Sequence, residues 1–384
     1  LNHHVTKLSE NSLGKKVLGN TLVVGQSGTG KSVLLATLLL QSQKFAQGDN
    51  FSTVFFDKDR GAEALIRATG GTYFALKNGK DSGLNPFSLN ATPENLTFLK
   101  SFCRLLVKRS DRELEPFEEQ MISRAIDQVM MFPKEKRCLT RVNEHLTVSN
   151  DRASQSDSIK LRLKKWLKGG EFGWVFDNDV DTLDFNVSRN IGVDGTEFLD
   201  NDDVRSPISY YLLHRMQQVI DGRRFVYYMD EAWKWLDDPV FSEFADNKQL
   251  TIRKQNGLGV FATQMPSSFL ESEIAASLVQ QCPTKIFLPN PNAKASEYID
   301  GFGLTETEYR IVLAFDEKSR LCLIKQGQQS VICSLAIGDS MADERTVMSS
   351  GTDELPFLEE ALKQHGNNPK KWIPAFLHAL KDRD

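Results

Sequence analysis

The chain is short of the residues that build disulfide scaffolds and metal centres. Its five cysteines, Cys103, Cys138, Cys282, Cys322 and Cys333, are odd in number, scattered and free of C-x-x-C spacing. Most lie inside apolar runs, which excludes a disulfide framework and a zinc site and leaves reduced core thiols. The six histidines include no H-x-x-x-H pair. His3 and His4 are adjacent and point apart on a strand, so they read as structural. No apolar run approaches the roughly 20 residues of a membrane-spanning helix, and no secretory signal is recognisable, so this stretch is expected to be soluble. It begins at Leu1 rather than Met, inside what reads as the lead-in to a strand, so a fragment of a longer protein is expected. No segment repeats with a period of 20–50 residues, and none is of low complexity. With a formal net charge of −4, the chain has no global field that attracts nucleic acid, and only a local basic patch can do so.

What is present is ordinary globular composition, 40% hydrophobic and 26% charged, in a length that accommodates one large domain or two modest ones. The most informative stretch is Gly25-Gln26-Ser27-Gly28-Thr29-Gly30-Lys31-Ser32. Residues 17–24 read as the strand that feeds it, ending in the apolar run Thr21-Leu22-Val23-Val24, and a helical pattern begins at Val33. A strand, a glycine-rich loop and a helix turn G-x-x-x-x-G-K-[ST] from a pattern into a phosphate site. The glycines let backbone N–H groups converge on phosphate oxygens, and the helix N-terminus adds partial positive charge. The candidate nucleotide-binding residues are therefore Gly25, Gln26, Ser27, Gly28, Thr29, Gly30, Lys31, Ser32 and Val33. Lys31 is expected on the β- and γ-phosphates of ATP, and the Ser32 hydroxyl on Mg²⁺.

A second buried strand, Ser52 to Phe56, ends in Asp57-Lys58-Asp59-Arg60-Gly61. Acidic groups at the end of a strand beside the phosphate loop either tune Mg²⁺ or cap the next helix, and capping is the reading for Asp59. From Thr92-Pro93 the apolar spacing turns helical, with Phe98, Phe102, Leu105 and Leu106 in one stripe and Phe117, Met121, Ile122, Ala125, Ile126 and Val129 in another. Residues 92–178 thus read as a helical insertion. Its last helix carries Lys160, Arg162, Lys164, Lys165 and Lys168 among apolar residues. This segment either meets a nucleic acid, a lipid surface or a partner, or is a solvated charged face. Short strands are expected near Leu183–Phe185 and Ile191–Val193, and a helix capped by Ser206-Pro207 runs through Ile220.

Phe225 to Met229 is a buried strand that delivers Asp230-Glu231 at its C-terminal end. Asp230 is expected to hold Mg²⁺, and Glu231 to polarise the attacking water as general base. Gly259 to Thr263 is a further strand ending in Gln264, which is expected to sense the γ-phosphate or the lytic water. Thr284–Leu288 reads as another strand, Arg320–Leu335 as a hairpin turning at 326–329, and residues 353–382 as two amphipathic helices.

Several stretches occur together and in this order: the phosphate loop, Phe56-Asp57-Lys58-Asp59-Arg60-Gly61, Leu84-Asn85-Pro86-Phe87, Asp230-Glu231-Ala232-Trp233, Arg253-Lys254-Gln255-Asn256-Gly257, Ala262-Thr263-Gln264, Lys285 to Asn290 and Leu323 to Gly327. In combination they resemble the CagE/TrbE/VirB family of conjugal-transfer ATPases, the energising subunits of type IV secretion systems. The resemblance covers nearly the whole chain. The loop reads Gly-Gln-Ser where that family more often has Gly-Pro-Thr, a difference that leaves Lys31 and Ser32 untouched. It implies an α/β fold with a RecA-like P-loop NTPase core (residues 1–91 and 179–336), a helical insertion (92–178) and a C-terminal helical segment (337–384). It also implies ATP hydrolysis with Mg²⁺ and assembly as a homo-oligomer, a hexamer when complete. Other secretion components at the cytoplasmic face of the inner membrane are the implied partners, with direct action on DNA as the alternative. In such an assembly Arg253 acts in trans as an arginine finger, with Lys254 as runner-up and Arg320 and Lys325 as weaker candidates. The sequence's own case for Arg253 is its place on the helix that leads into the Gln264 strand, read as the edge of the sheet.

Overall fold

Long buried apolar runs without alternation are the mark of parallel strands covered on both faces. The computed structural model, which describes residues 19–44, 50–109, 111–147, 158–185, 188–335, 337–338 and 341–383, places such runs together in one sheet. Among the described residues the strands are β1 (Thr21–Val24), β2 (Phe51–Asp57), β3 (Thr72–Ala75), β4 (Asn190–Asp194), β5 (Arg224–Met229), β6 (Gly257–Thr263), β7 (Thr284–Phe287), β8 (Leu321–Gln326) and β9 (Gln329–Ser334). Their order across the sheet is β3-β4-β2-β5-β6-β1-β7-β8-β9. Neighbours from β3 to β7 are parallel, and β8 and β9 add an antiparallel edge.

The register positions the site. Val24 lies opposite Thr263 and Phe287, Phe56 opposite Met229, and Met229 opposite Phe261. The C-terminal ends of β1, β2, β5 and β6 are therefore level, and the loops leaving them emerge at one edge, where open α/β sheets bind ligands. The helix Lys31–Gln43 buries Leu34, Leu35, Leu38 and Leu39 against Val23, Phe55 and Tyr228 of the sheet. A second apolar cluster joins Ala64 of the helix Glu63–Ala68 to Leu358, Trp372 and Phe376 of the C-terminal helices Leu355–His365 and Pro369–Lys381.

The chain divides into two units. The larger holds the sheet and draws on residues 1–75, 185–199 and 216–384, while the smaller, mostly helical, takes in 76–184 and 200–215. These limits differ from the insertion expected at 92–178. Residues 200–215 belong to the helical unit because the aromatic face of its last helix packs there: Phe98 stacks on Tyr210 at 5.1 Å and on the His214 ring at 3.8 Å. Thr92 caps its helix as expected, its hydroxyl oxygen accepting from the Asn95 N–H at 3.2 Å. Asn85 of the Leu-Asn-Pro-Phe stretch is structural, accepting from the Phe87 N–H and donating to the Arg137 carbonyl.

Three expectations need correction. Leu183–Phe185 forms no strand. The helix expected from Ser206 starts a turn earlier, at Asp202, because Asp202 and Asp203 suit its positive end and Pro207 is accommodated within it. The basic segment is not one long amphipathic helix. It is a single turn and a half, Ile159–Leu163, followed by a 3₁₀ turn, Lys164–Trp166. Its charges are largely engaged within the unit: Arg162 with Glu118 at 2.6 Å, Lys165 with Asp203 at 3.3 Å, Lys168 with Asp179 at 2.6 Å, and Lys160 with the Leu146 carbonyl. The helix Ala342–Met348 was not legible, being short and mostly polar. His3 and His4, and Val17 and Leu18 of the expected first strand, lie outside the described residues.

His214 donates from Nε2 to Asn95 Oδ1 at 2.8 Å, and burial, with Arg215 beside it, pulls its imidazole down to about 4. The unfolded chain titrates near the ordinary value of about 6.5. Below that pH the unfolded state takes up a proton that the folded state refuses, so this stability is complete above about 6.5 and lost as pH falls toward 4. His214→Gln, which keeps a donor for Asn95, is expected to flatten the fall in thermal stability between those pH values. An unchanged slope contradicts it.

Candidate active site

The phosphate loop forms where β1 ends. Gly25 donates its N–H to the Thr263 carbonyl at 3.1 Å, continuing the ladder by one residue, and the chain then leaves the sheet. A Cβ at Gly25 would stand 2.6 Å from Leu288 Cδ1 and 2.7 Å from Leu288 Cβ, so any side chain there would force Leu288 to shift. The loop is closed by Thr29, whose hydroxyl donates to the Gln26 carbonyl at 2.7 Å. Gly28 and Gly30 take left-handed conformations, φ 80° and 101°, that side chains rarely adopt. Gly30 caps the helix Lys31–Gln43 with no side-chain hydrogen bond and with no acid in its first turn, so its N-terminal N–H groups remain for an anion.

Lys31 closes the site from 199 residues away. Its ammonium donates to Asp230 Oδ1 at 2.8 Å and also pairs with Glu231 Oε1. All three groups are buried. Asp230 still belongs to the sheet, its N–H bonding the Phe56 carbonyl at 2.9 Å, whereas Glu231 turns sharply into the short helix Ala232–Leu236 with φ 48°. A left-handed glutamate is strained and persists only where its surroundings hold it. Here Glu231 Oε2 accepts from Trp233 Nε1 at 2.9 Å and from the Gln264 N–H at 3.3 Å. The Trp of Asp-Glu-Ala-Trp thus orients the acid, a role that sequence reading missed although the i+2 spacing carried it.

Asp57, at the end of β2, is almost wholly buried beside these groups. Its Oδ2 accepts from the Tyr73 hydroxyl at 2.6 Å and the Ala62 N–H at 2.8 Å. The latter bond leads into the helix Glu63–Ala68, so Asp57, not Asp59, is the capping acid. Asp59 is left-handed at φ 67° and offers its N–H to Thr196. Burial first, and then Asp230, hold the Asp57 carboxyl well above the usual carboxylate range, against the hydrogen bonds from Tyr73 and Ala62. Asp57, Asp230 and Ser32 line one small pocket, with Met348 on its wall.

The other expected residues scatter. Gln264 follows β6 at the same edge and reaches Glu231 through its backbone. Arg253 and Lys254 end the helix Pro239–Lys254, just before β6 begins. Because β6 lies between β5 and β1, the idea that this helix marks the sheet's edge is wrong. The seven residues of β6, roughly 20 Å of strand, separate the end of this helix from Gln264, and the side chains of Arg253 and Lys254 lie outside the described residues. Asn256 of the same motif is a turn residue, left-handed at φ 62°, with its side chain donating to the Gly222 carbonyl at 2.8 Å. Lys325 is buried and grips Glu308 with bonds of 2.7 and 3.0 Å, which removes it as a finger. Arg320 is exposed and reaches the loop, donating to the Gly28 carbonyl at 3.3 Å.

Known proteins resemble this chain over most of its length. The sequence profile of a family described as the TraG P-loop domain matches residues 5–330. A type IV secretion system protein virB4 of Brucella abortus is 48% identical over 391 residues, covering 100% of this chain and 47% of the relative. The type IV secretion system protein PtlC of Bordetella pertussis is 46% identical and covers 99% and 47%. The chain thus spans about half the length of these relatives. Among solved structures, VirB4 of Thermoanaerobacter pseudethanolicus superposes with a TM-score of 0.65 at 18% identity, covering 85% of this chain and 92% of that one. The plasmid coupling protein TrwB in complex with ADP and Mg²⁺ gives 0.56 at 15% identity, covering 86% and 91%. These two likenesses establish the fold, a RecA-like P-loop NTPase core.

Removing one partner from a buried charge cluster leaves the others uncompensated. Lys31→Ala is expected to lower the unfolding free energy of the nucleotide-free protein by about 3 kcal/mol. Adding Glu231→Gln should recover a large part of that loss. Urea unfolding checks both, and equal midpoints for wild type and Lys31→Ala contradict the pairing.

Proposed function

The chain belongs to the TraG P-loop domain family, and on that premise we propose that it is an ATP-hydrolysing motor segment that energises a type IV secretion system. The observation that carries the proposal is the meeting of Lys31 with Asp230 and Glu231 at the mouth of an uncapped phosphate loop. Ser32 and Asp230, which line the small pocket, carry oxygen donors, which suit the hard cation Mg²⁺. When bound, the ion neutralises charge that develops on the phosphates.

The loop N–H groups and the helix N-terminus bind the phosphates, and Lys31 exchanges its carboxylate partners for β- and γ-phosphate oxygens. That exchange frees Glu231, held in place by Trp233 and the Gln264 N–H, to take a proton from the attacking water. Gln264, whose N–H meets Glu231, senses the γ-phosphate or the same water. Arg253, a strand's length from its own site, serves a neighbour's site in a homo-oligomer, a hexamer when complete, adding positive charge to the transition state. The working place of this assembly is the cytoplasmic face of the inner membrane, among other secretion components. Direct pumping of DNA gains no support from the basic segment, whose charges are largely engaged within the helical unit.

Hydrolysis by the purified protein tests the reading. Glu231→Gln should still bind ATP while losing about 10²–10⁴-fold in turnover, and Lys31→Ala should lose binding. Mixing Arg253→Ala, which has an intact pocket, with Lys31→Ala, which has an intact finger, should regain turnover. Equal turnover by wild type and Lys31→Ala overturns the motor. A mixture no more active than its parts overturns the trans role of Arg253.

A further inference from the structure

Asp57 has a feature that capping leaves unexplained. One carboxylate oxygen, Oδ2, is fully engaged by Tyr73 and Ala62. The other, Oδ1, is buried and has no hydrogen-bond partner among the described residues. Leaving a buried acceptor unmade costs about 1–3 kcal/mol, more when it is charged. A cap alone does not require it, because an asparagine supplies one acceptor equally well. The carboxyl group lines the same small pocket as Ser32 and Asp230, at the level strand ends of β2 and β5. Magnesium keeps several of its waters and binds through few protein oxygens, and carboxylates just outside the ligand set commonly hold those waters.

We propose that Asp57 is a positioning residue for the metal, its Oδ1 accepting a hydrogen bond from a water on a magnesium ion held by Ser32 and Asp230. This rests on the reading of the pocket as an Mg·ATP site. Tyr73 and Ala62 fix the carboxylate through Oδ2 and leave Oδ1 for the water. Asp57 touches no phosphate in this arrangement, so it governs metal affinity and not nucleotide affinity.

The test separates the two quantities in the whole chain carrying Glu231→Gln, which prevents turnover. A fluorescent ATP analogue in EDTA measures nucleotide binding without metal. Mn²⁺, followed by its electron paramagnetic resonance in the presence of ATP, measures the metal. Asp57→Asn is expected to leave the first within about twofold and to weaken the second by about 10–100-fold. Tyr73→Phe keeps the carboxyl group but frees the anchoring oxygen, and a smaller loss of Mn²⁺ affinity is expected. It decides the matter alone if Asp57→Asn fails to fold. Unchanged Mn²⁺ affinity in the folded variants, or an equal loss of nucleotide binding in EDTA, overturns the proposal. Absence of ATP-dependent Mn²⁺ binding in the Glu231→Gln parent instead overturns the nucleotide-site reading on which it rests.

Discussion

A lysine ammonium held between two buried carboxylates is the interaction on which the rest of this structure turns. Lys31, Asp230 and Glu231 carry one positive and two negative charges into a site that water scarcely reaches. Such a cluster is a poor source of stability, since desolvation offsets most of the attraction, and it is left with an excess of negative charge. It is well matched to a cation and to a ligand that draws the lysine away. Two distant stretches of chain are thereby committed to one point in space.

The sheet makes that point reproducible. Because β1, β2, β5 and β6 end level, four loops of unrelated sequence deliver the phosphate loop, Asp57, Asp230-Glu231 and Gln264 to the same edge. Rigid parallel strands hold functional groups to closer tolerance than loops alone. One left-handed residue stands among the charges themselves, Glu231, and its strain is offset there by the Trp233 indole and the Gln264 amide.

Much of this was legible because the signals are local and strongly typed. The phosphate loop declares itself through glycine spacing, and the buried strands through uninterrupted β-branched and aromatic runs. The Asp-Glu pair declares itself by ending one of them. What escaped depends on contacts between segments far apart in sequence. Nothing local marks Tyr73 as the partner of Asp57, and nothing local places residues 200–215 with the helical unit, which is decided by Phe98 meeting Tyr210 and His214. Motif membership also conceals two kinds of constraint. Lys31 and Glu231 meet each other from distant motifs, whereas Asn85 and Asn256 sit in theirs to shape the backbone. Lys325 looked like a spare cation until burial against Glu308 assigned it to the fold.

The most direct measurement is a crystal structure of this chain with Mg²⁺ and a non-hydrolysable ATP analogue. The expected result is a triphosphate on the loop, with the Lys31 ammonium moved from Asp230 and Glu231 to phosphate oxygens and Glu231 beside the γ-phosphate. A nucleotide seated elsewhere, with Lys31 still bound to both acids, would contradict the claim that these residues form one hydrolytic site.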